Sequence, residues 1–235
     1  MRWIVGFPAG GTSDILARLL GRWLSERLGQ SFVIENRSGA ASNIATEAVV
    51  RAAPDGHTLL LVGPPNMINA TLYDKLNFNF IRDIAPVAAI VRIPNVMEVH
   101  PSVPAKTVPD FIAYARANPG KLSMASSGNG SSPHVSGELF KAMTGVNMLH
   151  VPYRGDSQAI IDLIAGQVQV YFGTLPASIE YIRADKLRAL AVTTATRSAA
   201  LPDIPRGRFR AGLRGKHDLW RWRPEGDARC DRGQA

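Results

Sequence analysis

Three segments rich in glycine and serine carry the groups best suited to chemistry. They span residues 7–14, 126–134 and 152–155, and each lies between a predicted strand and a predicted helix. The amides at a helix start are unpaired donors that attract anions. Arg154 adds a guanidinium that can hold a carboxylate through two parallel hydrogen bonds. The segments offer many donors and almost no bases, so they predict binding of an anion or a carboxylated small molecule.

Each of these features also has a plainer structural interpretation. A glycine-rich turn between a strand and a helix is often only a tight turn. Arg154 is equally suited to a surface ion pair, and His134 is better suited to a helix start than to catalysis. The three segments together favour a ligand site, because ligands bind beyond the carboxyl ends of parallel strands.

Sequence signatures of catalysis are missing. Gly128 and Gly130 are not followed by the third glycine of a dinucleotide-binding loop, and no phosphate-binding loop, nucleophile elbow or zinc-protease signature occurs. The five histidines show no metal-ligand spacing, and the only cysteine, Cys230, excludes an internal disulfide and a thiolate metal cluster. We therefore expect a binding protein without catalysis, cofactor or metal. An α/β enzyme that uses Asp14 or His134 as a base is the alternative.

Strands and helices alternate along the chain. Short apolar runs bounded by turns predict strands at 2–5, 32–35, 57–62, 122–125, 147–151, 168–172 and 187–192. Helical periodicity predicts helices at 15–28, 42–53, 109–118, 135–143, 156–165 and 179–184. Thr12 or Ser13 is expected to cap the first helix, and Asp14 to favour its positive end. The alternation predicts an α/β fold with parallel-rich sheets covered by helices on both faces.

Composition and charge argue against several other classes. The 235 residues are 46% hydrophobic and 20% charged, which is ordinary for a soluble globular protein. Apolar stretches such as 84–91 are too short for a membrane helix. The net charge is +8, of which residues 206–235 contribute +5. The body is thus near neutral and is not expected to bind nucleic acid; a basic tail that does so is a minor alternative.

Five segments resemble the Bug-type receptors, the extracytoplasmic solute-binding proteins of tripartite tricarboxylate transporters. They are residues 5–14, 35–40, 53–60, 151–155 and 186–192, in the family's order and spacing, and the resemblance covers 1–205. It implies a two-domain, periplasmic-binding-protein-like (type II-like) fold that closes on a small carboxylate. It also implies a periplasmic location, the membrane components of a transporter as partners, and neither catalysis nor a cofactor. We expect a monomer.

The same resemblance implies a set of ligand contacts, most of them through backbone amides and ordered waters. The set is Phe7, Ala9, Gly11, Thr12, Asp14, Ser126, Ser127, Gly130, Ser131, His134, Tyr153, Arg154 and Thr174. Gly173 departs from the family, because many relatives carry aspartate there. The chemistry at the distal end of the ligand is therefore left open.

Domain boundaries and the two ends of the chain complete the prediction. Residues 1–98 with a return at 194–205 are expected to form the first α/β domain, and residues 99–193 the second. The crossing is placed at the proline-punctuated stretch 98–104.

No export signal precedes the first strand, and 206–235 is a basic tail without periodicity. The codons that can encode this tail, read one base later, permit a segment like the one that the receptor family has at this position. We interpret the tail as frameshifted and disordered, the C-terminal part of the first domain as missing or scrambled, and binding as impaired.

Overall fold

Two β-sheets organise the chain in a computed structural model that describes residues 1–194 and 198–205. The strands are Arg2–Val5 (β1), Val33–Asn36 (β2), Thr58–Leu61 (β3), Asn95–Val99 (β4), Ser123–Ser126 (β5), Leu149–Pro152 (β6), Val170–Thr174 (β7) and Arg188–Val192 (β8). The helices are Thr12–Leu28 (α1), Asn43–Val50 (α2), Pro64–Leu72 (α3), Phe80–Asp83 (α4), Val108–Ala117 (α5), Ser132–Thr144 (α6), Asp156–Ile164 (α7) and Leu175–Arg183 (α8). Each predicted element is present, β1 with its predicted bounds and the others with shifted ends, and α3, α4 and β4 are additional.

The first sheet has the strand order β2-β1-β3, and its strands are parallel. The central strand β1 pairs with both neighbours, and its residues Trp3, Ile4 and Val5 are buried. Burial on a central strand explains why these residues form an almost continuous apolar run. We call residues 1–94, which hold this sheet and helices α1–α4, the first lobe.

Helix α1 starts differently from the prediction and ends as expected. Its N-cap is Gly11, which is extended (φ −81°, ψ 168°) and, as a glycine, offers no side-chain acceptor. Capping by Thr12 or Ser13 is therefore wrong, because both lie inside the helix. Gly29 ends the helix in the left-handed conformation (φ 63°), and its N–H donates to Ser25 O.

The second sheet has the order β6-β5-β7-β4-β8. Strand β5 is parallel to β6 and β7, whereas β4 is antiparallel to both β7 and β8. One face packs on a buried cluster that includes Phe111, Phe140 and Phe172. The α/β class with parallel-rich sheets is thus confirmed, with β4 running against its neighbours. We call this sheet with helices α5–α8 and residues 198–205 the second lobe.

The predicted crossing at 98–104 is placed too late. Strand β4 is buried along its length and pairs with β7 from Asn95 to Val99. The domain boundary at 98/99 cuts through this strand, so we place the start of the second lobe at Asn95. The strand escaped prediction because it carries Glu98, a residue that is rarely buried without a partner.

The predicted return of residues 194–205 to the first domain is also corrected. Leu201 is buried in a cluster with Val96 and Leu175 of the second lobe, and Ile204 packs against the same cluster. The N–H of Val192 donates to Pro205 O at 3.0 Å. The described residues after β8 therefore extend the second lobe.

Two further points bear on the sequence-based expectations. Within residues 1–194 and 198–205, no helix has both the length and the apolar character that a membrane crossing requires. The predictions for 206–235 lie outside the described residues, including the frameshift and its consequences for the first domain.

Candidate ligand-binding site

A cavity of about 180 Å³ lies between the two lobes. It is lined by residues of both lobes, which are Gly6, Phe7, Gly39, Ala40, Ala41, Tyr73, Ser127, Gly128, Asn129, Tyr153 and Arg154. Arg154 is the one charged side chain among these lining residues. Helices α6 and α7 begin shortly after Asn129 and Arg154, so their positive ends lie beside the cavity. This electrostatic environment favours a negatively charged ligand.

A strained turn forms the first-lobe side of the cavity. Ala40, Ala41 and Ser42 have φ values of 45°, 48° and 76°, a region that non-glycine residues rarely adopt. Each such residue costs about 1–3 kcal/mol, so the conformation persists only where its surroundings enforce it. Asn69 Nδ2 donates to Ala41 O at 2.8 Å, and Asn66 Nδ2 donates to Ser42 Oγ at 3.4 Å. Helix α3 therefore holds the turn in position from behind.

The segment between β5 and α6 forms the opposite side. Residues 127–129 line the cavity, and Ser126 supports them from inside the second lobe. Ser126 Oγ accepts the Gly128 N–H at 3.2 Å and lies 2.7 Å from His150 Nε2. Ser131 ends the segment as the N-cap of α6, where its Oγ accepts a backbone N–H. Ser126 and Ser131 thus shape the segment without lining the cavity.

Two threonines join the lobes beside the cavity. The hydroxyl of Thr174 donates to Asp156 Oδ2 at 2.9 Å. Thr12 Oγ1 lies 2.7 Å from Thr174 Oγ1, and because the Thr174 proton is already engaged, Thr12 is the donor. Tyr171 Oη donates to the other oxygen of the same carboxylate, Asp156 Oδ1. The result is a hydrogen-bonded chain that runs from the first lobe into the second.

Gly155 lets the lobes approach closely. A Cβ at this position would lie 2.7 Å from Pro8 Cδ, nearer than real Cβ atoms come to a neighbour. The φ of Gly155 is 171°, which is extended backbone that any residue adopts. The requirement for glycine here is therefore one of space between the lobes.

Asp14 anchors the segment 7–14 from the start of α1. It receives hydrogen bonds from Gly10 N–H at 2.9 Å, Arg18 Nε at 2.9 Å and Asn36 Nδ2 at 3.0 Å. Burial opposes its ionisation, but these bonds, with Arg18 the strongest, outweigh burial and hold the pKa of Asp14 below its usual range. An anion held by three donors is a poor general base, so the geometry gives no support to a catalytic Asp14.

His134 and His150 stack on each other behind the 126–131 segment. Their ring centroids are 4.3 Å apart with an interplanar angle of 27°. Gly130 N–H donates to His134 Nδ1 at 3.1 Å, which fits the predicted helix-start role of this histidine. Burial lowers the pKa of His134, and burial together with the adjacent His134 ring lowers the pKa of His150 to about 4. Both rings are therefore neutral near pH 7.

The similarity of this chain to known proteins agrees with the geometry. A family-level sequence model described as "TctC: Tripartite tricarboxylate transporter family receptor" matches residues 16–216. The chain belongs to this family. The predicted resemblance to Bug-type receptors is thereby confirmed.

Individual relatives of this TctC-family chain have known names and structures. Protein BugT of Bordetella pertussis is 36% identical over 207 residues, covering 87% of this chain and 64% of BugT. An R. palustris protein solved with adipate is 42% identical with a TM-score of 0.86, covering 88% of this chain and 69% of that structure. MatC from Rhodopseudomonas palustris, solved with bound malate, is 30% identical with a TM-score of 0.82. The match covers 88% of this chain and 70% of the MatC structure. The chain spans less than two thirds of the length of BugT and of similar curated relatives.

The predicted ligand set divides into two groups in this TctC-family structure. Phe7, Ser127, Tyr153 and Arg154 line the cavity. The cavity lining does not include Ala9, Gly11, Thr12, Asp14, Ser126, Gly130, Ser131, His134 or Thr174. Several of this second group hold the surrounding segments or join the lobes. Direct ligand contact by either group stays a prediction.

Sequence reasoning left out several lining residues. They are Gly6, Gly39, Ala40, Ala41, Tyr73, Gly128 and Asn129. The family-like segment 35–40 was a usable signal for the turn, and 126–134 was a signal for Gly128 and Asn129. No sequence signal pointed to Tyr73, because it follows α3, a helix that the sequence analysis did not predict.

A buried carboxyl group also escaped prediction. Glu98 is fully buried on β4, where Ser178 Oγ donates to Glu98 Oε1 at 2.6 Å. Glu98 Oε2 has no hydrogen-bond partner within the described part of the chain. Burial raises the pKa of Glu98 to about 8, against the opposing Ser178 bond. A Cβ at Gly173 would lie 2.6 Å from Glu98 Oε1, so this carboxyl occupies the space that a side chain at 173 would need.

Proposed function

We propose that this chain is a solute-binding receptor that captures a small carboxylate-containing metabolite for a tripartite tricarboxylate-type transporter. Membership in the receptor family supports the transport role. The relatives solved with adipate and with malate support a carboxylate ligand. BugD, a related solved structure, is described as a periplasmic binding protein, which supports a periplasmic location.

The observation that carries the proposal is the charge of the cavity between the lobes. Arg154 lines it, and the lining residues include no acidic side chain. A guanidinium can bind a carboxylate in a bidentate manner, and the partly desolvated setting strengthens that pair. The backbone amide of Ser127, which lines the cavity, is the kind of donor that completes the solvation of a bound carboxylate.

The lobes suggest how capture occurs. Receptors of this architecture close by rotation of two lobes about the ligand. The Thr12–Thr174 bond and the Pro8–Gly155 contact span the lobes next to the cavity. We infer that both contacts form on closure and help to retain the ligand. The receptor then needs no catalytic group, which agrees with the engaged state of Asp14.

Calorimetry against a panel of organic acids tests the proposal. The panel contains adipate, malate, a monocarboxylate and adipamide, the uncharged counterpart of adipate. A thermal melt of each protein sample verifies that it is folded. We expect at least one dicarboxylate to bind one molecule per chain and adipamide not to bind. If a folded sample binds no member of the panel, the proposal is wrong.

A further inference from the structure

We propose that His134, Glu138 and His150 form a binding site for a divalent transition-metal ion, on the side of the second lobe behind the cavity wall. One ring nitrogen of each histidine and one carboxylate oxygen of Glu138 lie within 4.8 Å of one another. All three residues are partly buried. The sequence analysis found no such site because His134 and His150 lie on two consecutive elements, a helix and a strand, at a separation that matches no metal-ligand signature.

The backbone explains the convergence. His134 and Glu138 are four residues apart on α6, so their side chains share one face of the helix. Strand β6 presents His150 to that face, and the two imidazoles stack. Two histidines and one glutamate are the donor set of a zinc site that keeps a fourth position open. The site is separate from the cavity, whose lining includes none of the three.

The hydrogen bonds leave a suitable donor atom on each residue. His150 Nε2 is 2.7 Å from Ser126 Oγ, a contact that orients the ring as second-shell bonds do in metal sites. Lys141 Nζ binds Oε1 of Glu138 at 2.8 Å. Within the described residues, no hydrogen bond engages His134 Nε2, His150 Nδ1 or Glu138 Oε2. These three atoms are the proposed ligands.

Metal binding requires a short movement of these side chains. Metal–ligand distances near 2.1 Å in a tetrahedral site place the donor atoms about 3.4 Å apart, closer than the present 4.8 Å limit. The side chains are only partly buried, so rotation about their own torsions can bring them together. Lys141 opposes this, because its ammonium both repels a cation and holds Glu138. Removal of the Lys141 charge is therefore expected to strengthen metal binding.

The position of the ring proton of His134 links the metal site to the segment that forms the cavity wall. In the free protein His134 Nδ1 accepts the Gly130 N–H, so the ring proton sits on Nε2. A metal on Nε2 takes the place of that proton, and the neutral ring then carries its proton on Nδ1. Nδ1 can no longer accept from Gly130, so the bond breaks. Metal binding is thus expected to change the environment of the Gly130 amide, next to residues 127–129.

Zinc titration by calorimetry tests the proposal. The parent protein carries His217→Ala and Cys230→Ala, so that these donors of segment 206–235 do not contribute. We expect one Zn²⁺ per chain, and a loss of affinity of at least about tenfold in Glu138→Gln and in His150→Gln. His57→Ala, which removes an exposed histidine outside the site, is the matched control and should bind as the parent does.

Two further readouts separate a metal site from a merely structural histidine pair. Lys141→Gln should bind Zn²⁺ several times more tightly than the parent, although it removes no metal ligand. Co²⁺ should give the intense visible absorption of a four-coordinate site in the parent and lose it in Glu138→Gln. The proposal is overturned if the parent binds no Zn²⁺, or if Glu138→Gln and His150→Gln bind it as tightly as the parent.

Discussion

The Oγ1 atoms of Thr12 and Thr174 lie 2.7 Å apart, and this contact connects the first lobe to the second. Neither residue lines the cavity, although both were predicted to contact the ligand. Their hydrogen bond joins the lobes, and Asp156 orients it by accepting a hydrogen bond from the Thr174 hydroxyl. Removing this contact therefore tests the contribution of lobe closure to affinity without changing a residue that lines the cavity.

Thr12→Val should weaken ligand binding without unfolding the protein. Valine keeps the shape of threonine but removes the donor, at a cost of about 1 kcal/mol for one hydrogen bond. If the bond exists only in the closed form, the apparent Kd should rise about fivefold. Calorimetry with a bound acid measures the change. Thr12→Ser keeps the donor and should bind as the wild type; equal affinity of valine and wild type would contradict the role of this bond.

Gly155→Ala should also weaken binding, for a steric reason. The new Cβ would lie 2.7 Å from Pro8 Cδ, so the lobes could not approach as they do here. Small-angle scattering with saturating ligand should show a less compact particle than the wild type. Gly63→Ala is the matched control, since its Cβ would meet nothing closer than Pro65 Cδ at 3.6 Å. Unchanged compaction and affinity in Gly155→Ala would show that this contact is not needed for closure.

The free energy of unfolding should fall as the pH rises from about 4.5 to about 8, because Glu98 then loses its proton in the folded protein. Burial raises the pKa of Glu98 from the model-compound value of 4.5 to about 8. The folded state then binds a proton that the unfolded state has lost. The stabilising contribution of this proton is fully present below pH 4.5 and is lost as the pH rises to about 8. The slope contributed by one such group is at most about 1.4 kcal/mol per pH unit.

Glu98→Gln provides the comparison for that pH dependence. Glutamine keeps an acceptor for Ser178 and cannot ionise. Chemical denaturation at several pH values should show a shallower fall in the free energy of unfolding for the variant between pH 4.5 and pH 8. Parallel curves for the variant and the wild type would mean that Glu98 ionises normally in the folded state.

Much of the fold could be predicted from local patterns. The run Trp3-Ile4-Val5 and the periodic apolar residues of α1 indicate their elements directly, because each buries a face that repeats with the right period. Strand β4 could not be recognised in this way. Its Glu98 fits a buried sheet only because Gly173 on the paired strand leaves room for the carboxyl group.

The site was predictable only within two residues of the end of a strand. Ser127 and Tyr153 directly follow β5 and β6, Arg154 comes one residue later, and all three line the cavity. Ala41 and Tyr73 line it because helix α3 and a left-handed turn place them there, and neither feature has a clear local signature. Nonlocal packing also brings His134 to His150, so no spacing rule could reveal their contact.

Arg154→Gln tests most directly whether the cavity holds a carboxylate. Calorimetry compares the variant with the wild type and with Arg183→Gln, which removes an exposed arginine of α8 that lies outside the cavity. Loss of a charge-assisted bond should reduce affinity for a bound dicarboxylate about tenfold or more, while Arg183→Gln binds as the wild type. If Arg154→Gln binds the same acid with unchanged affinity, the carboxylate does not lie in this cavity.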